Sequence, residues 1–227
     1  GDDRVLLQGE AFPQVGELDV VLDGMSALRD QHDVVAWKTY THAGAGYSLV
    51  DERGEAFLNH VSAIGPPIVC VHKGFGADPA DLGPAAAAHP DITFCVYHSG
   101  FEPASDLPGG GVENLVQSLR DAGIGPGANV YAELGSTWRT VLSQPDRAAH
   151  VLGMLLLAVG PERILWGTDS IWYGSPQDQI RAFRVFEITV QAQEQFGYPA
   201  LTPEIKRRIF GSNAAELHGL DLTAVER

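Results

Sequence analysis

The chain has 227 residues, of which 44% are hydrophobic and 19% charged, and its formal net charge is −14. This length is sufficient for one large domain with a substantial core. The acidic balance, with only 15 Lys and Arg residues scattered along the chain, argues against nucleic acid or an anionic membrane surface as a partner, because both are bound through basic patches.

Short apolar runs alternate along the chain with segments of helical periodicity. The runs predict six strands, in chain order Arg4–Gln8, Val34–Thr39, Ile68–His72, Thr93–His98, Asn129–Leu134 and Arg163–Gly167. The remaining segments predict helices at Leu18–Asp30, Glu55–Ile64, Pro84–His89, Val112–Ala122, Arg147–Val159, Pro176–Gln195, Pro203–Phe210 and Asn213–His218. Strands that are apolar almost throughout, and that alternate with helices, indicate an α/β fold with a parallel sheet buried on both faces.

Two architectures are compatible with this alternation, a doubly wound sheet and a (β/α)₈ barrel. No GxGxxG fingerprint follows the first strand and no glycine-rich loop matches a P-loop, so the doubly wound sheet loses its usual sequence support. The chain contains no linker, low-complexity segment or short internal repeat, which predicts a single domain over residues 1–227.

The two cysteines and the lengths of the apolar segments help to predict the cellular compartment of the protein. Cys70 and Cys95 lie inside apolar runs, which is typical of buried thiols rather than a disulfide. No segment approaches the length of a membrane-spanning helix, and no signal peptide is visible. We therefore expect a cytoplasmic protein, with periplasmic export as the alternative if residues before Gly1 carry a signal.

Titratable residues stand at the ends of five successive predicted strands. They are Lys38, His72, His98, Glu133 and Asp169. Because the carboxyl ends of parallel strands in a barrel lie on one face, we expect these side chains to converge there. Imidazole and carboxylate together suit Zn²⁺ or Mn²⁺.

Taken singly, each of these residues also has an ordinary structural interpretation. A histidine after a strand is commonly a hydrogen-bonded core or loop residue, and Asp169 can be a helix N-cap. Glu133 can pair with an arginine, and Lys38 can form a plain salt bridge.

Several segments together resemble the amidohydrolase-related family, the branch of metal-dependent hydrolases that also contains aminocarboxymuconate semialdehyde decarboxylase and the resorcylate decarboxylases. They are WKTYTHAG, VHKGFG, VYHSGFE, NVYAELGSTW, ILWGTDSIWYGSP and IFGSNAAELHGL, spread from about Val34 to Leu220. The resemblance implies a (β/α)₈ barrel and one divalent metal ion, with zinc favoured over manganese. It implies that His72 and Asp169 ligate the metal and that His98 and Asp169 act in proton transfer.

The family's HxH or ExH motif on the first barrel strand has no counterpart in this sequence. Counting back from Asp169 makes the six predicted strands the third to eighth of the barrel. We therefore expect the first two strands, and the ligands that they carry, to lie in residues that precede Gly1.

Other residues near the strand ends are candidates for substrate contact. They are Lys38, Tyr40, His42, Glu133, Trp138 and Trp172, and the aromatic residues Trp37, Phe75 and Tyr173 belong to the same group. Their alternative role is to anchor loops in the core. Glu133 is also a candidate for orienting the ligating histidine. Relatives with two metals carry a carboxylated lysine close to the place of Lys38, but the resemblance is to the one-metal branch, which favours a structural or substrate-facing role.

The resemblance leaves three functions open. The first is a hydrolase that uses a metal-activated water on an amide, ester or related bond of a small molecule. The second is a non-oxidative decarboxylase of an aromatic or unsaturated carboxylic acid, and the third is a non-catalytic barrel. The expected partner is a small-molecule substrate, without nucleic acid or membrane, and a homodimer is compatible with the sequence.

Overall fold

The computed structural model describes residues 5–42, 46–74, 76–102 and 111–222. The strands are β1 (Leu7–Glu10), β2 (Val34–Tyr40), β3 (Ile68–His72), β4 (Thr93–Tyr97), β5 (Val130–Glu133) and β6 (Ile164–Leu165). The helices are α1 (Leu18–Gln31), α2 (Glu52–Ile64), α3 (Leu82–Ala88), α4 (Val112–Asp121), α5 (Thr137–Val141), α6 (Pro145–Ala158), α7 (Ser170–Tyr173), α8 (Gln177–Val185), α9 (Val190–Phe196), α10 (Pro203–Arg207) and α11 (Asn213–Leu217).

The six strands form one sheet in which spatial order follows chain order, β1-β2-β3-β4-β5-β6. Every neighbouring pair is parallel. A doubly wound sheet reverses its strand order at a switch point, so this winding excludes it and agrees with a (β/α)₈ barrel. Within the described ranges, β1 and β6 each have a single neighbour.

Alternate residues of each strand face opposite sides of the sheet, and the two faces differ in size and character. The outer face contributes Trp37, Val71, Phe94 and Ala132 to a large apolar core shared with the helices. The inner face carries a smaller buried cluster of Ala36, Cys70, Cys95, Tyr131 and Leu165. Both cysteines are free thiols, as the sequence predicts.

The parallel register arranges the inner side chains in two rows across the sheet. Lys38 pairs with Cys70, which pairs with Cys95, which in turn pairs with Tyr131. One step nearer the carboxyl ends, Tyr40 pairs with His72 and His72 with Tyr97. The second row, which lies nearer the rim, therefore consists of aromatic and titratable side chains.

Several predicted elements differ from the observed ones by a few residues at their ends, and two differences are larger. The strand predicted at Arg4–Gln8 is Leu7–Glu10, and Arg4 lies outside the described residues. Gly9 lies within the observed strand, and a Cβ at this position would collide with the indole of Trp37.

The single helix predicted at Pro176–Gln195 is wrong, because α8 and α9 are separate. Phe186 is extended, with φ −67° and ψ 139°. Ile188 is buried, and the Thr189 side chain accepts a hydrogen bond from the backbone N–H of Ala192, so it caps a new helix. Within the described residues, no helix combines the length and apolar character needed to cross a bilayer.

Two helical glycines differ in whether the surrounding structure leaves room for a side chain. A Cβ at Gly83 in α3 would collide with the backbone carbonyl of Ser118 in α4, whereas a Cβ at exposed Gly24 in α1 would meet nothing within 4 Å. We expect Gly83→Ala to lower the free energy of unfolding by about 1–3 kcal/mol. The matched variant Gly24→Ala should raise it by about 0.5–1 kcal/mol. Urea denaturation of both variants checks this, and equal effects would contradict the close approach of α3 to α4.

Candidate active site

A cavity of about 570 Å³ lies at the carboxyl ends of the strands. Its lining residues are Lys38, Tyr40, His42, His72, Tyr97, His98, Ser136, Asp169, Trp172 and Tyr173. They follow or end β2, β3, β4, β5 and β6, so five strands contribute to one site. The structure thus brings together most of the residues expected from the sequence, and it adds Ser136 and Tyr97.

His72 is the last residue of β3 and presents a free nitrogen to the site. Its Nε2 is buried and has no hydrogen-bond partner among the described residues. Burial lowers the pKa of this imidazole to about 3, and the nearby charges of His98, His42 and two lysines act in the same direction. His72 is therefore a neutral imidazole over the whole physiological range, which is the form that ligates metals.

His98 reaches the cavity through an unusual turn. The alternation of β4 places Phe94 and Val96 on the outer face, and His98 would follow them there. Instead the backbone turns left-handed, with φ 62° at His98, 49° at Ser99 and 58° at Phe101. Positive φ in non-glycine residues costs about 1–3 kcal/mol each, and such residues cluster at functional sites.

The tautomer of His98 follows from its hydrogen bond. Its Nδ1 lies 3.0 Å from the carbonyl oxygen of Gly135, and a carbonyl can only accept, so Nδ1 carries the proton. Nε2 then keeps its lone pair. The ring of His98 lies edge-to-face with that of His72, with the centroids 4.6 Å apart, so the two imidazoles form one group.

Glu133, near the end of β5, holds these turns in place. One carboxylate oxygen accepts the backbone N–H of His98 at 2.9 Å and the other accepts the N–H of Gly135 at 2.7 Å. A Cβ at Gly167, after β6, would collide with the same carboxylate. Burial raises the pKa of Glu133, and these two hydrogen bonds oppose that rise. The carboxylate thus links three strand ends, and it makes no ion pair with any arginine that the structure describes.

Asp169 is positioned by hydroxyl groups. Ser136 Oγ donates to Asp169 Oδ2 at 2.5 Å and lies 3.1 Å from the hydroxyl of Tyr173. Because the Ser136 proton is used on Asp169, Tyr173 must donate to Ser136. Both Ser136 and Asp169 have φ of 52°. Asp169 occupies the N-cap position of α7, as the sequence allowed, but its side chain makes no capping hydrogen bond to the helix.

The other candidate residues fall into two groups. Tyr40, His42 and Trp172 line the cavity, and the ring of His42 lies 4.5 Å from that of His72. Trp138 is only 1% exposed, and its indole N–H donates to the carbonyl of Gln179 in the core, so its placement matches the loop-anchoring alternative.

Two further candidates lie away from the lining, and a third cannot be placed. Trp37 is buried in the outer core, Glu133 lies beneath the His98 turn rather than among the lining residues, and Phe75 is outside the described residues. The alternation of β4 could have identified Tyr97, because it lies two residues after Cys95 and therefore on the same face of the sheet. Nothing in the sequence distinguishes Ser136.

The imidazole and carboxylate side chains of the cavity are of the types that bind a divalent metal ion. His72 Nε2 is an orphaned buried nitrogen, and His98 Nδ1 lies 3.9 Å from Asp169 Oδ2, so that Asp169 and His72 both adjoin His98. In the part of the chain that the structure describes, however, no group of three or more His, Cys, Asp or Glu side chains is arranged to hold a metal ion. A catalytic zinc site usually has three protein ligands, so the described residues provide part of such a set.

Comparison with known proteins identifies the family model and the fold. The sequence matches the model of the amidohydrolase family over residues 16–220. No curated protein sequence matches the chain.

Among solved structures, similar ones include a probable 2-pyrone-4,6-dicarboxylic acid hydrolase from Acinetobacter baumannii with citric acid bound (15% identity, TM-score 0.60, covering 88% of this chain and 69% of that one). A 2,6-dihydroxybenzoate decarboxylase complexed with 2,6-dihydroxybenzoate has 12% identity and a TM-score of 0.58, over 94% of this chain and 70% of that one. An uncharacterised TIM-barrel protein from Bordetella bronchiseptica has 15% identity and a TM-score of 0.58, over 97% and 68%. These likenesses confirm the predicted barrel fold.

The depressed pKa of His72 makes folding sensitive to acid. The unfolded chain binds a proton at this histidine near pH 6.5, whereas the folded chain binds it only near pH 3, so stability is lost as the pH falls from 6.5 towards 3. We expect His72→Gln to reduce this loss in urea denaturation between pH 4 and 7. NMR titration of the metal-free protein should show no change in the His72 ring near pH 6.5, and a normal titration there would contradict its burial.

The role of Glu133 can be tested by an isosteric change. Glu133→Gln leaves one of two backbone N–H groups facing an amide NH₂ instead of an oxygen, so we expect unfolding to become easier by about 1–3 kcal/mol. The same change at exposed Glu194 in α9 should stay within about 0.5 kcal/mol. Chemical denaturation of both variants gives the comparison, and equal stability would mean that the carboxylate does not hold the turns.

Proposed function

Because the chain belongs to the amidohydrolase family, whose model matches residues 16–220, we propose that this enzyme is a metal-dependent hydrolase that cleaves an amide, ester or related bond of a small molecule. The family is generally metal-dependent, and its members share the barrel that this chain forms. A hydrolase and decarboxylases both occur among the similar structures, so the reaction itself must be argued from the cavity.

One observation carries the proposal. His72 has a neutral imidazole with an unpartnered nitrogen, Asp169 has a carboxylate, and each of them adjoins His98, a second imidazole with a free lone pair, in one cavity. A metal-dependent hydrolase requires such a set, because it needs neutral or anionic ligands together with a group that moves protons.

The metal would be held through His72 Nε2 and the Asp169 carboxylate. When bound, a divalent ion supplies Lewis-acid activation of water and of a substrate carbonyl. Zinc suits this mixture of nitrogen and oxygen donors, and manganese is the alternative. The hydrogen bond from Ser136 ties Oδ2 of Asp169, so Oδ1 is the oxygen left for the metal or for water.

His98 is suited to proton transfer rather than to holding the ion. Its Nδ1–H is fixed on the Gly135 carbonyl, which leaves Nε2 to accept a proton from the attacking water. The resulting imidazolium then donates that proton to the leaving group as a general acid. The 3.9 Å between His98 Nδ1 and Asp169 Oδ2 places a negative charge where it stabilises the imidazolium.

Decarboxylation of an aromatic or unsaturated acid is the second candidate, because the aromatic side chains of Tyr40, Tyr97, Trp172 and Tyr173 surround the cavity. Such walls fit a planar substrate. The protonated His98 would then deliver its proton to carbon as carbon dioxide leaves. The family and its similar structures, a hydrolase and a decarboxylase, argue against the third possibility, a non-catalytic barrel.

The proposal is tested with three variants, assayed with Zn²⁺ or Mn²⁺ on nitrophenyl esters, anilides and lactones. His72→Ala and Asp169→Ala should lose metal, measured by elemental analysis, and turnover together. His98→Asn should retain metal and lose about 10²–10⁴-fold of turnover. Carbon dioxide release from dihydroxybenzoates, in place of hydrolysis, would favour the second candidate.

Matched controls lie away from the cavity. His32→Ala and Asp178→Ala remove exposed side chains of the same kinds, and both variants should keep metal and activity. Wild-type metal content in both His72→Ala and Asp169→Ala would show that the ligand assignment is wrong. Near-normal turnover in His98→Asn would remove its role in proton transfer.

A further inference from the structure

The chain buries two lysines in this region, and they differ in their partners. Lys73, 1% exposed, pairs with Asp81 at 2.6 Å and donates to the hydroxyl of Thr41. Lys38, 8% exposed, makes neither an ion pair nor a hydrogen bond with any described residue. Its ammonium instead lies over two aromatic rings, 3.2 Å from the ring centre of Tyr97 and 4.8 Å from that of Tyr40.

Neither Glu133 nor Asp169 forms an ion pair with Lys38. Glu133 accepts the backbone N–H groups of His98 and Gly135, and Asp169 accepts the Ser136 hydroxyl. Burial lowers the pKa of Lys38 to about 8, and the electrostatic effects of Cys70, Glu133, Asp169 and Glu10 oppose that change. Lys38 therefore remains mainly a cation at neutral pH, and it has no ion-pair partner among the described residues.

A buried cation without an anion is unfavourable unless a ligand completes the pair. The rings of Tyr40 and Tyr97 cover part of the ammonium, and its remaining donors face the cavity that Lys38 lines. The mouth of the same cavity carries Trp172 and Tyr173, and Trp172 is 78% exposed. A positive charge at one end and aromatic walls along the cavity together match a flat molecule with one anionic end.

We propose that Lys38 is the anion-binding residue of this cavity, and that it anchors a carboxylate group of the substrate. The bond that reacts then lies towards His98 and Asp169, and the carboxylate on Lys38 is the group that positions it. This inference rests on the proposed function only in taking the cavity as the substrate site.

The test measures binding in the absence of metal and of turnover, so it is independent of the proposed reaction. The probes are benzoate and sorbate, which are flat monoanions, and benzamide, a neutral molecule of nearly the same shape as benzoate. Tryptophan emission, with Trp172→Phe as the check on its origin, and ligand-observed NMR both report binding. The full chain should bind the two anions more tightly than benzamide.

Charge removal at Lys38 should affect the anions alone. Lys38→Met is expected to weaken benzoate binding by about tenfold or more, the usual loss for a charge-assisted contact, without changing benzamide binding. Lys38→Arg should retain most of the benzoate affinity. Arg139→Met removes another positive charge, 5.6 Å from the ring centre of Tyr173, and should leave benzoate binding unchanged.

Four results would overturn the inference. They are no binding of either anion to the wild type, benzoate affinity that survives Lys38→Met, an equal loss for benzoate and benzamide, and an intact mass showing that Lys38 takes up carbon dioxide and so carries its own anion. Lys38→Gln serves if Lys38→Met does not fold. Anion binding through Lys38 without hydrolysis or decarboxylation would retain this inference and reject the proposed function.

Discussion

The geometry of the site depends on one buried carboxylate. Glu133 is bonded to the backbone of the turns after β4 and β5, and it occupies the space beside Gly167 after β6. The left-handed backbone at His98 and Ser99 is intrinsically unfavourable, and two charge-assisted hydrogen bonds offset part of that cost. Without this carboxylate, the alternation of β4 would direct His98 towards the outer core and away from His72.

Charges inside the cavity are distributed unevenly, and this suits a site for proton transfer. Each carboxylate has a donor within the protein, from backbone N–H groups for Glu133 and from Ser136 for Asp169. The bases keep free lone pairs, since His72 Nε2 is unpartnered and the Nδ1 proton of His98 is held by Gly135. The site is therefore preorganised, because its dipoles and charges are oriented before any ligand arrives.

The sequence predicted the strands and most of the titratable residues at their ends, including His98 and Asp169, but it could not predict the turns that orient these two side chains. The apolar runs and their order gave six parallel strands, and the positions of Lys38 and His72 on the inner face follow from a period of two. Ser136 and the orientation of Asp169 depend on positive φ at non-glycine residues, which no residue pattern announces. The sequence leaves Trp138 open between substrate contact and loop anchoring, and α5 turns it into the core, where its indole N–H donates to the carbonyl of Gln179.

The last register pairs of the sheet, Tyr40 with His72 and His72 with Tyr97, mark where scaffold and chemistry separate. His98, Ser136 and Asp169 all lie beyond this boundary, on turns whose paths the ladder does not dictate. Such a molecule can exchange its reacting groups while every strand keeps its neighbours. Different reactions can therefore evolve without a change in the strand arrangement. This agrees with the finding that a probable hydrolase and a decarboxylase superpose on this chain at 15% and 12% identity.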